Sequence, residues 1–136
     1  MRVLLDTNII LDHLLEREPF ADEANRLING IELKQIQGYM TATTCTDIFY
    51  ISRKKQGSAL VKQALSELLR LLEVCTVDRK IIEIALTSNI SDLEDAVQLA
   101  CALNENLDAI VTRDLQGFVN SPIAILSAGE VLARLS

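Results

Sequence analysis

Short apolar runs alternate along the chain with stretches whose apolar residues return every three or four positions. Arg2 to Leu5 is an apolar run ending in Asp6-Thr7-Asn8, which reads as a strand passing into a turn or helix start. Ile9 to Leu15 and Phe20 to Asn29 have helical spacing, the second stopped by Gly30. Gln37 to Thr41 reads as a short strand, and Cys45 to Lys55 as a helix ending on Arg53-Lys54-Lys55 before Gly57. The clearest helix spans Ser58 to Leu72, where Leu60, Ala64, Leu65, Leu68, Leu69 and Leu72 form an apolar stripe able to cover a sheet or a dimer face. Val74 to Val77 reads as a strand, Lys80 to Thr87 as a helix, and Ser91 opens another helix reaching Leu103. Asp108 to Thr112 and Pro122 to Leu126 complete the strands, and Ala128 to Leu132 is a last short helix.

Strands alternating with helices imply an α/β fold: a parallel, Rossmann-like sheet flanked by helices on both faces. The 136 residues suit a single domain, 1–136. Aromatic residues are 4% and Trp is absent, so the core must come from Leu, Ile, Val and Ala, as such a sheet requires. No apolar run approaches the roughly 18 residues of a membrane span, and Asp6 follows the start too closely for a signal peptide. The expectation is a cytoplasmic protein. Cys45, Cys75 and Cys101 are odd in number and form no C-x-x-C pair, so they read as small buried hydrophobes. With one histidine, a zinc site lacks ligands.

The net charge of −6 argues against a general nucleic-acid binder. It does not exclude a nuclease, because carboxylates gathered around a cation contribute that charge themselves. In parallel α/β sheets ligands sit outside the carboxyl ends of the strands, and four acids fall there. Asp6 follows the first strand and serves equally as a helix cap. Asp47, after the second strand, falls in the first turn of a helix if a Thr of Thr43 to Thr46 caps it, where the dipole favours an acid. Asp95 begins the buried stretch of its helix; Ser91 and Glu94 before it have capping-box spacing, which accounts for Glu94. Asp92 is either a helper or a dipole acid. Asp114 follows the Asp108 to Thr112 run and also suits a turn. Each acid alone has a structural explanation, but four at one edge would repel one another without a cation. An all-oxygen donor set suits Mg²⁺ or Mn²⁺.

Leu4 to Asn8, Thr41 to Tyr50, Asp92 to Ala96 and Ile110 to Asp114 together resemble the PIN-domain family, in particular its VapC-like toxin ribonucleases. The resemblance implies a PIN-like α/β domain that cleaves RNA with Mg²⁺ or Mn²⁺, forms a homodimer, and pairs with an antitoxin protein. It puts Asp6, Asp95 and Asp114 at metal-ligand positions. Asp47 stands where the family usually has Glu; one carbon shorter, it would reach the ion through water. Asn8 and Thr112 match polar positions beside the site. The implied reaction is hydrolysis by metal-activated water with no histidine base, which leaves His13 outside the site.

Two other readings stay open on the residues. One is a degenerate PIN-like domain that binds a protein partner or RNA without cleavage. The other is phosphoryl transfer with Asp6 as nucleophile, for which the expected Lys and Gly-rich loop are missing. Arg53-Lys54-Lys55 reads as a charged helix end rather than a phosphate contact.

Overall fold

The structure, a computed structural model, describes residues 1–135. The strands are β1 (Arg2–Leu5), β2 (Gln37–Thr41), β3 (Leu72–Cys75), β4 (Ala109–Val111) and β5 (Ala124–Leu126). They form one parallel sheet in the order β3-β2-β1-β4-β5. The helices are α1 (Thr7–Leu14), α2 (Ala21–Glu32), α3 (Ala42–Gln56), α4 (Ser58–Leu71), α5 (Arg79–Leu86), α6 (Leu93–Asn104) and α7 (Ala128–Leu135). The expected single α/β sheet between helical layers is what the chain forms.

Side chains alternate across the strands and divide the core in two. Val3 and Leu5 of β1, Met40 of β2 and Val111 of β4 pack under α1, α2, α3, α4 and α7. Leu4, Tyr39 and Ile110 face the other way, under α5 and α6. The centre of the sheet is apolar on both faces, whereas edge strand β3 exposes Glu73 and Val74. The order reverses at β1, with β2 and β4 on its two sides. The carboxyl ends of β1 and β4 therefore open beside each other at the switch point, where such sheets bind ligands.

Several boundaries differ from the sequence expectations. Helix α2 runs through Gly30 to Glu32. A helical glycine costs about 1 kcal/mol, whereas burying a side chain such as Ile31 contributes about 1.5–3 kcal/mol. Strand β3 begins at Leu72, two residues early, because Leu72 pairs with Gly38 and Cys75 with Thr41. A Cβ on Gly38 would lie 2.6 Å from the side chains of both Ile31 and Leu72, which fill the space that glycine leaves. In α4 the buried residues are Val61 and Leu68; Leu60 and Leu69, at the margins of the expected stripe, are each 55% exposed.

Cys75 and Cys101 are buried and Cys45 half-buried, all as free thiols. Burial first, then neighbouring acidic groups, pushes Cys75 up to about 12 and Cys101 up to about 11. Among the described residues no helix is long and apolar enough to cross a membrane.

Candidate acidic site

Asp6 precedes α1, yet its side chain makes no capping bond. Its backbone carbonyl accepts from Ile9 and Ile10, which leaves the carboxylate free for other partners. Buried Gln98 donates to Oδ1 at 2.9 Å, and buried Thr112 donates to Oδ2 at 2.8 Å. Asp6 is itself only 7% exposed. Thr112 Oγ1 also accepts from the Asp114 amide at 3.0 Å, so one hydroxyl ties together the acids that follow β1 and β4.

Asp47 lies in the second turn of α3, not the first. The cap is Thr41, whose Oγ1 accepts from the Thr44 amide at 3.1 Å, and the helix starts at Ala42. The dipole effect is confined to the terminal turn, so it does not account for Asp47. Asp95 stands in the first turn of α6. The cap there is Asp92, accepting from the Asp95 amide at 3.0 Å. The expected Ser91–Glu94 capping box does not form, because Asp92 is one residue nearer and takes the role.

Glu94 instead reaches across to α1, where Thr7 Oγ1 donates to its Oε1 at 3.0 Å. A hydroxyl has one proton to give. Thr7 must therefore accept from Thr44 at 3.0 Å, and Thr44 from Thr41 at 3.1 Å. The threonine chain ends on the Glu94 carboxylate and holds it beside Asp47.

Asp114 caps the 3-10 turn Leu115–Phe118, its Oδ1 accepting from Gly117 N at 3.2 Å. A Cβ on Gly117 would lie 2.8 Å from Asp95 Oδ2 and 3.0 Å from Asp114 Oδ2. Both carboxylates thus face the same small volume, left open by a glycine.

Asp6, Asp47, Asp92, Glu94, Asp95 and Asp114 line a cavity of about 380 Å³ together with Thr7, Asn8 and Ile51, and no basic side chain is in the lining. A second cavity of about 350 Å³ shares Asp92, Asp95 and Asp114 and extends the cleft past Gly117. Loss of solvent first, then the charges of Asp92, Asp6, Asp114 and Glu94, pushes Asp95 up to about 7. Partial desolvation raises Glu94 as well, opposed by the Thr7 bond and reinforced by Asp47 and Asp6.

Among the described residues no three acidic, His or Cys side chains stand close enough to enclose an ion by themselves. The acids form an open wall, which suits an ion that keeps several of its waters, as Mg²⁺ does. The all-oxygen donors, the glycine-cleared space and the mutual destabilisation of the carboxylates fit such an ion.

Asn8 lines the cleft, with its Oδ1 accepting from Arg17 at 3.1 Å. His13 pairs with Asn25 at 2.6 Å and is not in the cleft lining. The basic triplet occupies the last turn of α3, with Arg53 4.9 Å from the Tyr50 ring centre. A larger cavity, of about 490 Å³, includes Met1, Arg2 and Gln37 and so opens where β1 and β2 begin, away from the acids.

A family model for the PIN domain matches residues 2–116. The chain belongs to the PIN-domain family. No curated protein matches its sequence. Solved structures similar to this PIN domain include a toxin-antitoxin complex from Klebsiella pneumoniae, 23% identical over 93% of this chain and 97% of that one, with a TM-score of 0.69. FitAcB from Neisseria gonorrhoeae is 20% identical over 93% and 98% of the two chains, with a TM-score of 0.68. DNA-bound VapBC from Salmonella typhimurium is 17% identical over 94% and 98%, with a TM-score of 0.64. At these identities the likeness is one of fold.

Sequence reasoning passed over four contributors to this PIN domain's cleft: Glu94, Thr7, Gln98 and Gly117. Gln98 carried a readable signal, a lone amide within Ala96 to Ala102. Gly117 carried none, because its role depends on Asp95 of another element.

Proposed function

We propose that this PIN domain is a metal-dependent endoribonuclease and acts as the toxin of a toxin–antitoxin pair. The observation that carries the reading is the cleft at the switch point, lined by six carboxylates and no basic side chain. Asp6, Asp95 and Asp114 would hold Mg²⁺ or Mn²⁺, with Asp47 joining through water. A bound divalent ion supplies Lewis acidity there, lowering the pKa of water and offsetting charge on a phosphodiester. Gln98 and Thr112 fix the Asp6 carboxylate. Glu94, whose carboxyl is pushed up by partial burial and by neighbouring Asp47 and Asp6, would take the proton of an attacking water. Asn8, its Oδ1 held by Arg17, presents its amide nitrogen to the substrate or its water.

The antitoxin partner and the homodimer belong to the same proposal. Their support is the toxin-antitoxin complexes among similar folds and the apolar surface of Tyr50, Ile51 and Leu60 on α3 and α4. Purified protein should cleave RNA with Mn²⁺ or Mg²⁺ and stop with chelator. Asp95→Asn should lose that activity while remaining folded; undiminished metal-dependent cleavage by Asp95→Asn would remove the site assignment.

A further inference from the structure

The most buried charge among the described residues is Asp12, which lies outside the cleft. It is 0% exposed, in α1 directly after the core residues Ile9, Ile10 and Leu11. A carboxylate there is costly unless paired, and two arginines pair it. Arg17 Nε donates to Oδ1 at 2.9 Å. Arg113 donates from Nε to Oδ2 at 2.8 Å and from a terminal nitrogen to Oδ1 at 3.2 Å, a two-pronged fork. Phe20 closes the other side of that guanidinium, 3.8 Å from its ring centre.

Both arginines lead to the cleft. Arg113 stands between Thr112, which donates to Asp6, and Asp114, which faces Asp95 across Gly117. Arg17 donates to both the backbone oxygen and Oδ1 of Asn8, at 3.2 and 3.1 Å. Stability alone does not call for such a buried ion cluster, because an apolar replacement of similar volume is commonly neutral or stabilising. A fork that fixes direction accounts for it better.

We infer that Asp12 is a positioning residue for the acidic site: through Arg113 it sets the segment bearing Asp114, and through Arg17 it sets Asn8. The inference rests on the metal-site reading for its consequence and on geometry for its cause. Without the fork, residues 113–117 lose their only charged anchor to α1, and Asp114 samples positions in which its Oδ2 no longer faces Asp95.

Two measurements on Asp12→Asn test this. The first is amide exchange in metal-free protein. Exchange should quicken selectively at Asp114 to Gly117, while the amides of β1 and β4 keep wild-type rates. The second is Mn²⁺ affinity by calorimetry, which should fall about 10- to 100-fold, as for other partners that orient metal ligands. In an Asp114→Asn background the same substitution should cause little further loss. Arg113→Gln, at the partly exposed end of the fork, gives the same comparison if Asp12→Asn does not fold. Unchanged or uniformly faster exchange would overturn the inference. So would a loss of affinity just as large without Asp114. Wild-type protein that binds no Mn²⁺ would instead overturn the metal-site reading, and the exchange comparison would still decide the role of Asp12.

Discussion

Gln98 holds Asp6: its amide donates to Oδ1 at 2.9 Å, while its own Oε1 is buried without a partner among the described residues. The two ends have opposite effects on stability. A hydrogen bond to a charged group contributes about 1.5–3 kcal/mol, and an unsatisfied buried polar atom costs about 1–3 kcal/mol. Gln98→Met removes both at similar volume. The predicted result is a melting temperature close to wild type, with Mn²⁺ affinity about 10- to 100-fold weaker. Calorimetry beside a melt checks it; a large loss of stability with intact ion binding would make Gln98 a packing residue only.

Gly117 makes the complementary case. Its missing side chain leaves room for Asp95 Oδ2 and Asp114 Oδ2, and a methyl group would push on both. Those oxygens end flexible side chains, so the fold can yield while the carboxylates move apart. Gly117→Ala is expected to keep its secondary structure and cooperative melting, and to lose most of its response to Mn²⁺. Retention of the full response would show that the two oxygens do not meet on one ion.

The partial burial of Asp95, reinforced by the acids around it, has a pH signature. Asp95 titrates near 7 in the folded protein against 3.8 ordinarily. In that interval the folded state holds more protons at this group than the unfolded chain. Its contribution therefore makes stability fall as pH rises from about 4 to about 7, and the loss is complete above that. Metal-free wild type should lose melting temperature over this window relative to Asp95→Asn, with the two curves running parallel above it. Parallel curves throughout would mean that Asp95 is neither desolvated nor crowded.

The reassigned cap of α6 separates two neighbours. Ser91 has no capping role, so Ser91→Ala should leave stability within about 0.5 kcal/mol of wild type. Asp92→Ala loses the bond to the Asp95 amide, a cost of about 1 kcal/mol that relief of its repulsion with Asp95 offsets in part. Glu94→Gln should raise metal-free stability by relieving repulsion with Asp47 and Asp6, and weaken ion binding. Denaturant melts of the three variants distinguish this order from a Ser91–Glu94 box, in which Ser91→Ala would carry the cost.

The sheet was legible because β1 and β4 are continuous apolar runs and the helices keep their period. Asp6 and Asp114 stood out because each ends such a run. The misread boundaries have tertiary causes. The burial of Ile31 carries α2 past Gly30, and pairing with Gly38 draws Leu72 from helix into strand. Within the cleft, Glu94 was assigned to a cap because local spacing cannot tell which of two nearby oxygens reaches the amide. Its partner, Thr7, is 87 positions away. Asp12 drew no reading from the sequence, because its two arginines, one of them 101 positions away, are brought to it only by the fold.

The sharing of one divalent ion by Asp6, Asp95 and Asp114 is what the proposed function requires. It is tested most directly by melting wild type, Asp6→Asn and Asp95→Asn over a Mn²⁺ titration. A ligand at 100 times its Kd stabilises the folded state by about 2.7 kcal/mol. Mn²⁺ is expected to raise the wild-type melting temperature; without metal Asp95→Asn should melt higher than wild type and Asp6→Asn should not, because it gives up an acceptor of the Gln98 and Thr112 bonds, and both variants should respond weakly to Mn²⁺. If millimolar Mn²⁺ moves none of the three and the variants simply melt lower, the acids are structural residues and share no ion.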